Sequence, residues 1–151
     1  MDKNDLTRDY DILSLDNQLC FSAYAVSRAI TKIYRPLLEE LGITYPQYLV
    51  MLVLWENNAV TLKEMGNKLF LDSGTLTPLL KRLESLGLLQ RERSSKDERV
   101  LNVTITEKGL ALREKALNIP QGILNAINID LQELADLKHR LDNLLSKIND
   151  K

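Results

Sequence analysis

The chain has 151 residues, a net charge of −1, 44% hydrophobic and 27% charged residues, and only one cysteine and one histidine. That size and balance describe one soluble globular domain with a real core, and the longest apolar run, "YLVMLVLW", is too short to cross a membrane. A single cysteine excludes an intrachain disulfide, and one cysteine with one distant histidine, His139, makes no zinc site, so no metal and no cofactor is implied.

The polar, acidic start MDKNDLTRDYD is neither a signal peptide nor a transit peptide, and with the lone cysteine it points to a reducing cytoplasm. Leu19, Ala23, Val26, Ile30, Ile33, Leu37 and Leu41 then recur every three or four residues. They predict a long helix within 14–42, capped by Ser14 or Asp16, kinked at Pro36 and ended by Gly42. Thr44 and Gln47 stand at capping-box spacing and open a second helix that runs to about Glu56. It is apolar on most sides, which predicts a central position.

Leu62, Met65 and Leu69 mark a short helix, and "LDSGT" a turn. Leu76, Leu79, Leu80, Leu83 and Leu86 mark the next helix, which Gly87 closes. Pro78 fits only a first turn, so this helix begins between Ser73 and Thr75. Two short helices joined by a tight turn form a helix-turn-helix. After Gly87 the period changes to two: "LLQRER" and "VLNVTIT" flank "SSKDER" as a two-stranded hairpin with a charged tip. Thr106 caps "EKGLALREKALNI", which Pro120 and Gly122 break. A last helix carries Leu124, Ile127, Leu131, Leu134, Leu137, Leu141, Leu144 and Ile148.

The predicted fold is mainly α. A single chain, 1–151, holds a winged helix-turn-helix lobe over 60–106. Helices over 14–42 and 119–148 carry more apolar surface than such a lobe needs, which predicts a homodimer sharing them.

Charge splits unevenly. Thr61–Lys115 holds eleven Lys and Arg against eight Asp and Glu, or +3, and the remainder holds nine against thirteen, or −4. A central basic part fits an anionic partner, although a solvated basic face explains it as well. Ser73, Gly74, Thr75 and Thr77 at a helix N-terminus suit phosphates and base edges, with Lys81 and Arg82 one turn on. The hairpin carries Arg91, Arg93, Lys96 and Arg99, placed for an adjacent minor groove, and Asp97 can orient Arg99. Plain helix capping and a charged turn guarding a hairpin edge are the alternatives for these two places.

Cys20, Tyr24 and Tyr34 share one helix face, since fourteen residues fall about 40° short of four turns and four residues pass one turn by about 40°. Tyr34 is nevertheless about 21 Å along the axis from Cys20, beyond reach within one straight helix. A two-fold partner running antiparallel would bring the two together. Tyrosine hydroxyls donating to sulfur would favour a thiolate, the form that peroxides oxidise. A core cysteine beside two interfacial tyrosines is the alternative.

"LFLDSGTLTPLLKRLESLGLLQRERSSKDERVLNVTITEKG" resembles the winged helix-turn-helix of the MarR family of bacterial regulators, and the Asp97–Arg99 triplet resembles that family's wing signature. "LDNQLCFSAYAVSRAITKIYRPLLEELGITYPQYLVMLVLWE" resembles the single-cysteine organic hydroperoxide sensors within it. The likeness is close from Leu15 to about Pro120 and looser in the last helix. It implies a dimeric repressor, not an enzyme, that responds to oxidative stress. Cys20 would be the redox sensor, with Tyr34 and Tyr45 of the other subunit as its hydrogen-bond partners and Tyr24 nearby. An organic hydroperoxide would be the oxidant and double-stranded operator DNA the partner released. With no second cysteine, a low-molecular-weight thiol would cap the oxidised sulfur as a mixed disulfide, unless it became a sulfenamide or oxidised further. Three other functions remain open: a broader oxidation-responsive regulator of stress, virulence or drug resistance; a regulator that binds a small aromatic ligand; and a thiol peroxidase.

Overall fold

A computed structural model describes residues 12–150. The reading of the first eleven residues as neither signal nor transit peptide lies outside them. Helix α1 spans Leu19–Glu39 and α2 spans Tyr45–Asn57. A short strand β1, Ala59–Thr61, leads into α3, Leu62–Leu69, and α4, Ser73–Ser85. Strands β2, Leu89–Arg93, and β3, Leu101–Ile105, precede α5, Glu107–Ala116, α6, Ile119–Ile127, and α7, Leu131–Asn149. No helix among the described residues is long and apolar enough to cross a membrane.

The core is built around α2, which packs against α1, α3, α4, α5 and two of the strands. Val50, Met51 and Leu54 of α2 are fully enclosed, together with Met65, Leu76, Leu80, Leu83, Leu89 and Val103. Each such side chain contributes about 1.5–3 kcal/mol by leaving water. The predicted capping signals work: the Thr44 amide donates to Gln47 Oε1 at 2.9 Å, and Thr106 Oγ1 accepts from the Gly109 amide at 3.0 Å. Gly42 and Gly87 close α1 and α4 with φ of +69° and +76°, where a side chain would be strained.

Three expectations are corrected. The start of α1 is not capped by Ser14 or Asp16: a 3-10 turn, Leu15–Asn17, precedes it, and Gln18 is the cap residue, its Nε2 donating to the carbonyls of Ile12 and Ser14. The hairpin is part of a three-stranded sheet in the order β1-β3-β2, with Val60 of β1 opposite Val103. The helix after Thr106 ends before Pro120 as expected, at Ala116, but Pro120 and Gly122 themselves lie inside a further helix, α6, so the stretch expected to be one last helix is two. Proline in a first turn gives up an amide that has no helical partner there. A second break falls at Asn128, with φ +56°, and at Asp130, which caps α7.

Helix α7 has no buried residue, and its Leu131, Leu137, Leu141 and Ile148 stand open. Leu19, Phe21, Tyr24 and Val26 of α1 are also uncovered.

Candidate sensor and nucleic-acid interface

The helix-turn-helix is assembled by its caps. Thr61 starts α3 with a reciprocal box to Glu64, its amide donating to Glu64 Oε2 at 2.8 Å and its Oγ1 accepting from the Glu64 amide at 3.1 Å. Asp72 starts α4 by accepting from the Thr75 amide at 2.7 Å, a bond that holds its carboxyl below the usual carboxylate range. The cap is therefore Asp72 and not Ser73. Ser73, Gly74 and Thr75 are exposed on the first turn, Thr77 is half-buried with its hydroxyl donating to Ser73 O at 2.6 Å, and Lys81 and Arg82 are exposed further along.

In the wing, the backbone amide and Nε of Arg99 each donate to Asp97 Oδ1 at 3.1 Å. The Arg99 side chain remains 91% exposed, so Asp97 fixes its direction without withdrawing it from solvent. That guanidinium in turn holds the Asp97 carboxyl below its ordinary value. Arg93 and Lys96 are exposed beside it. Arg91 points elsewhere: its Nε donates to Glu84 Oε2 at 2.8 Å and its amide to Oε1 at 3.2 Å. This two-point link ties β2 to α4 and lowers the Glu84 carboxyl. Wing and α4 are thus joined at a point the sequence does not advertise, since Glu84 and Arg91 lie on either side of the Gly87 turn.

The second constellation lies between α1 and α2. Tyr34 and Tyr45 face each other with ring centroids 4.7 Å apart. Tyr48 packs against both, at 5.8 and 6.3 Å, and is itself only 5% exposed. Burial, then Tyr45 and Tyr48, push the Tyr34 hydroxyl up to about 12, and burial raises Tyr45 and Tyr48 too. All three therefore stay protonated donors at neutral pH. Cys20 is exposed at the far end of α1. With α1 unbroken from Leu19 to Glu39, the separation of about 21 Å from Tyr34 stands. Tyr24 is exposed apart from this cluster, its ring under the Arg28 guanidinium at 5.4 Å. One chain thus pairs Tyr34 with Tyr45 but does not bring Cys20 to them. A groove of about 1030 Å³ opens beside α1, lined by Phe21, Tyr24, Arg28, Lys32, Arg35 and Tyr45 among others.

Sequence reasoning missed Tyr48, Trp55 and Glu84, whereas Asp72 lies in the "LDSGT" turn, where capping residues are expected. The i, i+3 spacing of Tyr45 and Tyr48 was the available signal for the first.

A capped, exposed second helix braced against a basic wing is how winged-helix transcriptional regulators present themselves to duplex DNA. Residues 32–116 match the family described as transcriptional regulator SarA/Rot, and the chain belongs to this MarR-like family. It is 51% identical over 142 residues to the organic hydroperoxide resistance transcriptional regulator of Bacillus subtilis (strain 168), covering 94% of this chain and 97% of that one. A structure of reduced AbfR bound to DNA superimposes with a TM-score of 0.77 at 42% identity, over 89% of this chain and 92% of that one. Disulfide-formed AbfR gives 0.61 at 43% identity, over 91% and 96%. AbfR is a protein of Staphylococcus epidermidis.

Proposed function

We propose that this chain is a cytoplasmic, dimeric repressor that senses organic hydroperoxides through Cys20 and then releases its operator. The observation that carries the reading is the split site. Cys20 lies on an uncovered apolar face of α1, and two protonated tyrosines wait, out of its reach, on the same chain. A second copy, related by a two-fold axis and covering the stripes of α1 and α7, would complete two identical sites. Tyr34 and Tyr45 of one subunit would donate to the Cys20 sulfur of the other, with Tyr24 alongside.

The chemistry balances simply. The Cys20 thiolate attacks the terminal oxygen of the hydroperoxide, the O–O bond breaks, and the alkoxide leaves and takes a proton to become the alcohol. The sulfenic acid then condenses with a low-molecular-weight thiol, forming an S–S bond and releasing water. The cap displaces the tyrosine donors and wedges the interface.

In the reduced dimer the two α4 helices would enter successive major grooves. Ser73, Gly74, Thr75 and Thr77 would meet the DNA with their helix end, and Lys81 and Arg82 its phosphates. Arg93, Lys96 and the Asp97-oriented Arg99 would serve the adjacent minor groove. Arg91 belongs to this interface through Glu84, as a brace. TM-scores of 0.77 and 0.75 to the reduced and the overoxidised AbfR, both bound to DNA, exceed the 0.61 to its disulfide form at 41–43% identity, which supports reading this conformation as the DNA-competent one. Moving occupancy from 99:1 to 1:99 requires about 5.5 kcal/mol between the states.

The test is Cys20→Ser against a duplex selected for binding by the reduced protein. The variant should bind as wild type does and remain bound after cumene hydroperoxide with a small thiol. Release equal to wild type would end the sensing claim. The groove beside α1 favours a second reading, an effector site for a small aromatic acid. Release of Cys20→Ser from DNA by such an acid would establish it.

A further inference from the structure

The tyrosine cluster does not end at Tyr48. Tyr48 and Trp55 are seven residues apart on α2, about 20° short of two full turns, and so lie on one face. Their rings meet edge to face with centroids 6.2 Å apart. Trp55 Nε1 then donates to the carbonyl of Gly109 at 2.8 Å, a bond across 54 residues of sequence. Gly109 is no ordinary helical residue. A Cβ there would fall on the Leu88 carbonyl, inside van der Waals contact, and 2.7 Å from Ile105 Cγ1. Leu88 directly precedes β2, and Ile105 is the last residue of β3. Thr106 seals the same junction, its amide donating to Leu88 O at 3.1 Å and its hydroxyl to Gly87 O at 2.5 Å. The start of α5 therefore rests on the root of the wing with no side chain between. Arg91 binds Glu84, so the wing and α4 are tied to each other directly.

We infer that Tyr48 and Trp55 are positioning residues of the sensor, holding the Tyr34–Tyr45 pair in mechanical register with the wing root through Gly109. The inference rests on the reading of that pair as the partners of Cys20. When the cap on Cys20 displaces the pair, Tyr48 loses its support and Trp55 tilts. The Gly109 carbonyl is then left to move with α5, and the wing and α4 shift together. Close packing makes such a chain respond in discrete steps and not by continuous yielding. A role in stability alone would leave the response to oxidant unchanged.

Trp55→Phe keeps an aromatic ring at this position and removes the N–H donor together with part of the indole's volume. On the full-length dimer, affinity for the selected duplex is measured by anisotropy before and after cumene hydroperoxide with a small thiol, and Cys20 thiolation is read by mass spectrometry. Expected are reduced affinity within about threefold of wild type, equal thiolation, and a loss of affinity on oxidation at least tenfold smaller than that of wild type. An equal loss on oxidation overturns the inference. Should the variant fail to fold, the wild type supplies the readout, because Trp55 is the only tryptophan of the chain. Its emission should change when Cys20 is thiolated and stay constant in Cys20→Ser treated alike, and constant emission in thiolated wild type overturns the inference. Wild type that keeps its DNA after thiolation refutes the peroxide reading itself, and the inference falls with it. That outcome is distinguishable because it appears without any variant.

Discussion

Gly109→Ala separates two opposed physical expectations. Intrinsic propensity favours alanine in a helix by about 1 kcal/mol. The structure predicts the opposite sign. A methyl group at 109 collides with the Leu88 carbonyl, which is backbone and cannot rotate away, and meets Ile105 Cγ1 at 2.7 Å. Overpacking of this kind costs roughly 1–3 kcal/mol, and displacing α5 weakens the Trp55 bond to Gly109 O by about 1 kcal/mol more. Set against the propensity gain, the net is a destabilisation of about 2 kcal/mol, or about 4–8 °C in Tm for a chain of this length. Urea unfolding at fixed protein concentration, followed by circular dichroism, measures it. A higher midpoint than wild type would mean that α5 does not rest on the wing root, and the reasoning about Gly109 would be wrong.

Asp97→Asn should leave thermal stability unchanged and weaken operator binding roughly threefold to tenfold, read by anisotropy, because Arg99 loses a charge-assisted tether and not its charge. Arg93→Ala should lower the slope of log affinity against log salt by about 1, the signature of one phosphate contact. Leu137→Glu with Leu141→Glu should sediment as a monomer and lose operator binding at least a hundredfold, since the stripe of α7 has no other cover among the described residues. Tyr34, raised to about 12 from 10, keeps its proton in the folded state where the unfolded chain loses it. Its contribution is complete below pH 10 and is lost as pH climbs towards 12, on the order of 1–2 kcal/mol after allowing for partial exposure, and Tyr34→Phe should flatten that part of the alkaline unfolding curve.

The winged helix was legible because each of its parts has a local signature: leucines at helical spacing, alternation in "VLNVTIT", and cap residues at Thr44 and Thr106. Strand β1 was not, because three residues carry no period and their partner, β3, lies about forty residues on. Pro120 marks the end of α5 but also opens α6, a helix that reading it only as a breaker hides. Proline in the first turn of α6 breaks nothing, and Gly122 sits where a Cβ would meet Leu37 Cδ1 at 3.2 Å, so it serves the α1–α6 contact. The second stop, Asn128 with Asp130, was a cap signal passed over. In the candidate site, angular arithmetic put Cys20, Tyr24 and Tyr34 on one face; the structure leaves Cys20 and Tyr24 exposed and packs Tyr34 against α2. The Tyr34–Tyr45 pairing came only through resemblance, because it joins two helices. Tyr48, Trp55 and the Glu84–Arg91 brace are products of tertiary packing, which local periodicity does not encode.

The raised tyrosines bear directly on how a lone cysteine could be tuned. A phenol held near neutrality beside a thiolate would carry partial negative charge and raise the sulfur's proton affinity. The Tyr34–Tyr45–Tyr48 cluster moves the other way: each ring desolvates its neighbour, and the Tyr34 hydroxyl is lifted to about 12. It thereby stays a full donor across physiological pH and stabilises negative charge placed before it. The same desolvation depends on Tyr48 remaining buried beneath the pair, and Tyr48 is the ring that leans on Trp55. In the proposed dimer, the packing of the Cys20 partners and contact at the wing root would therefore share one residue. In that dimer, anything that drives the tyrosine pair apart would remove the donors from Cys20 and unload the wing in the same motion, so chemistry and release would need no separate device.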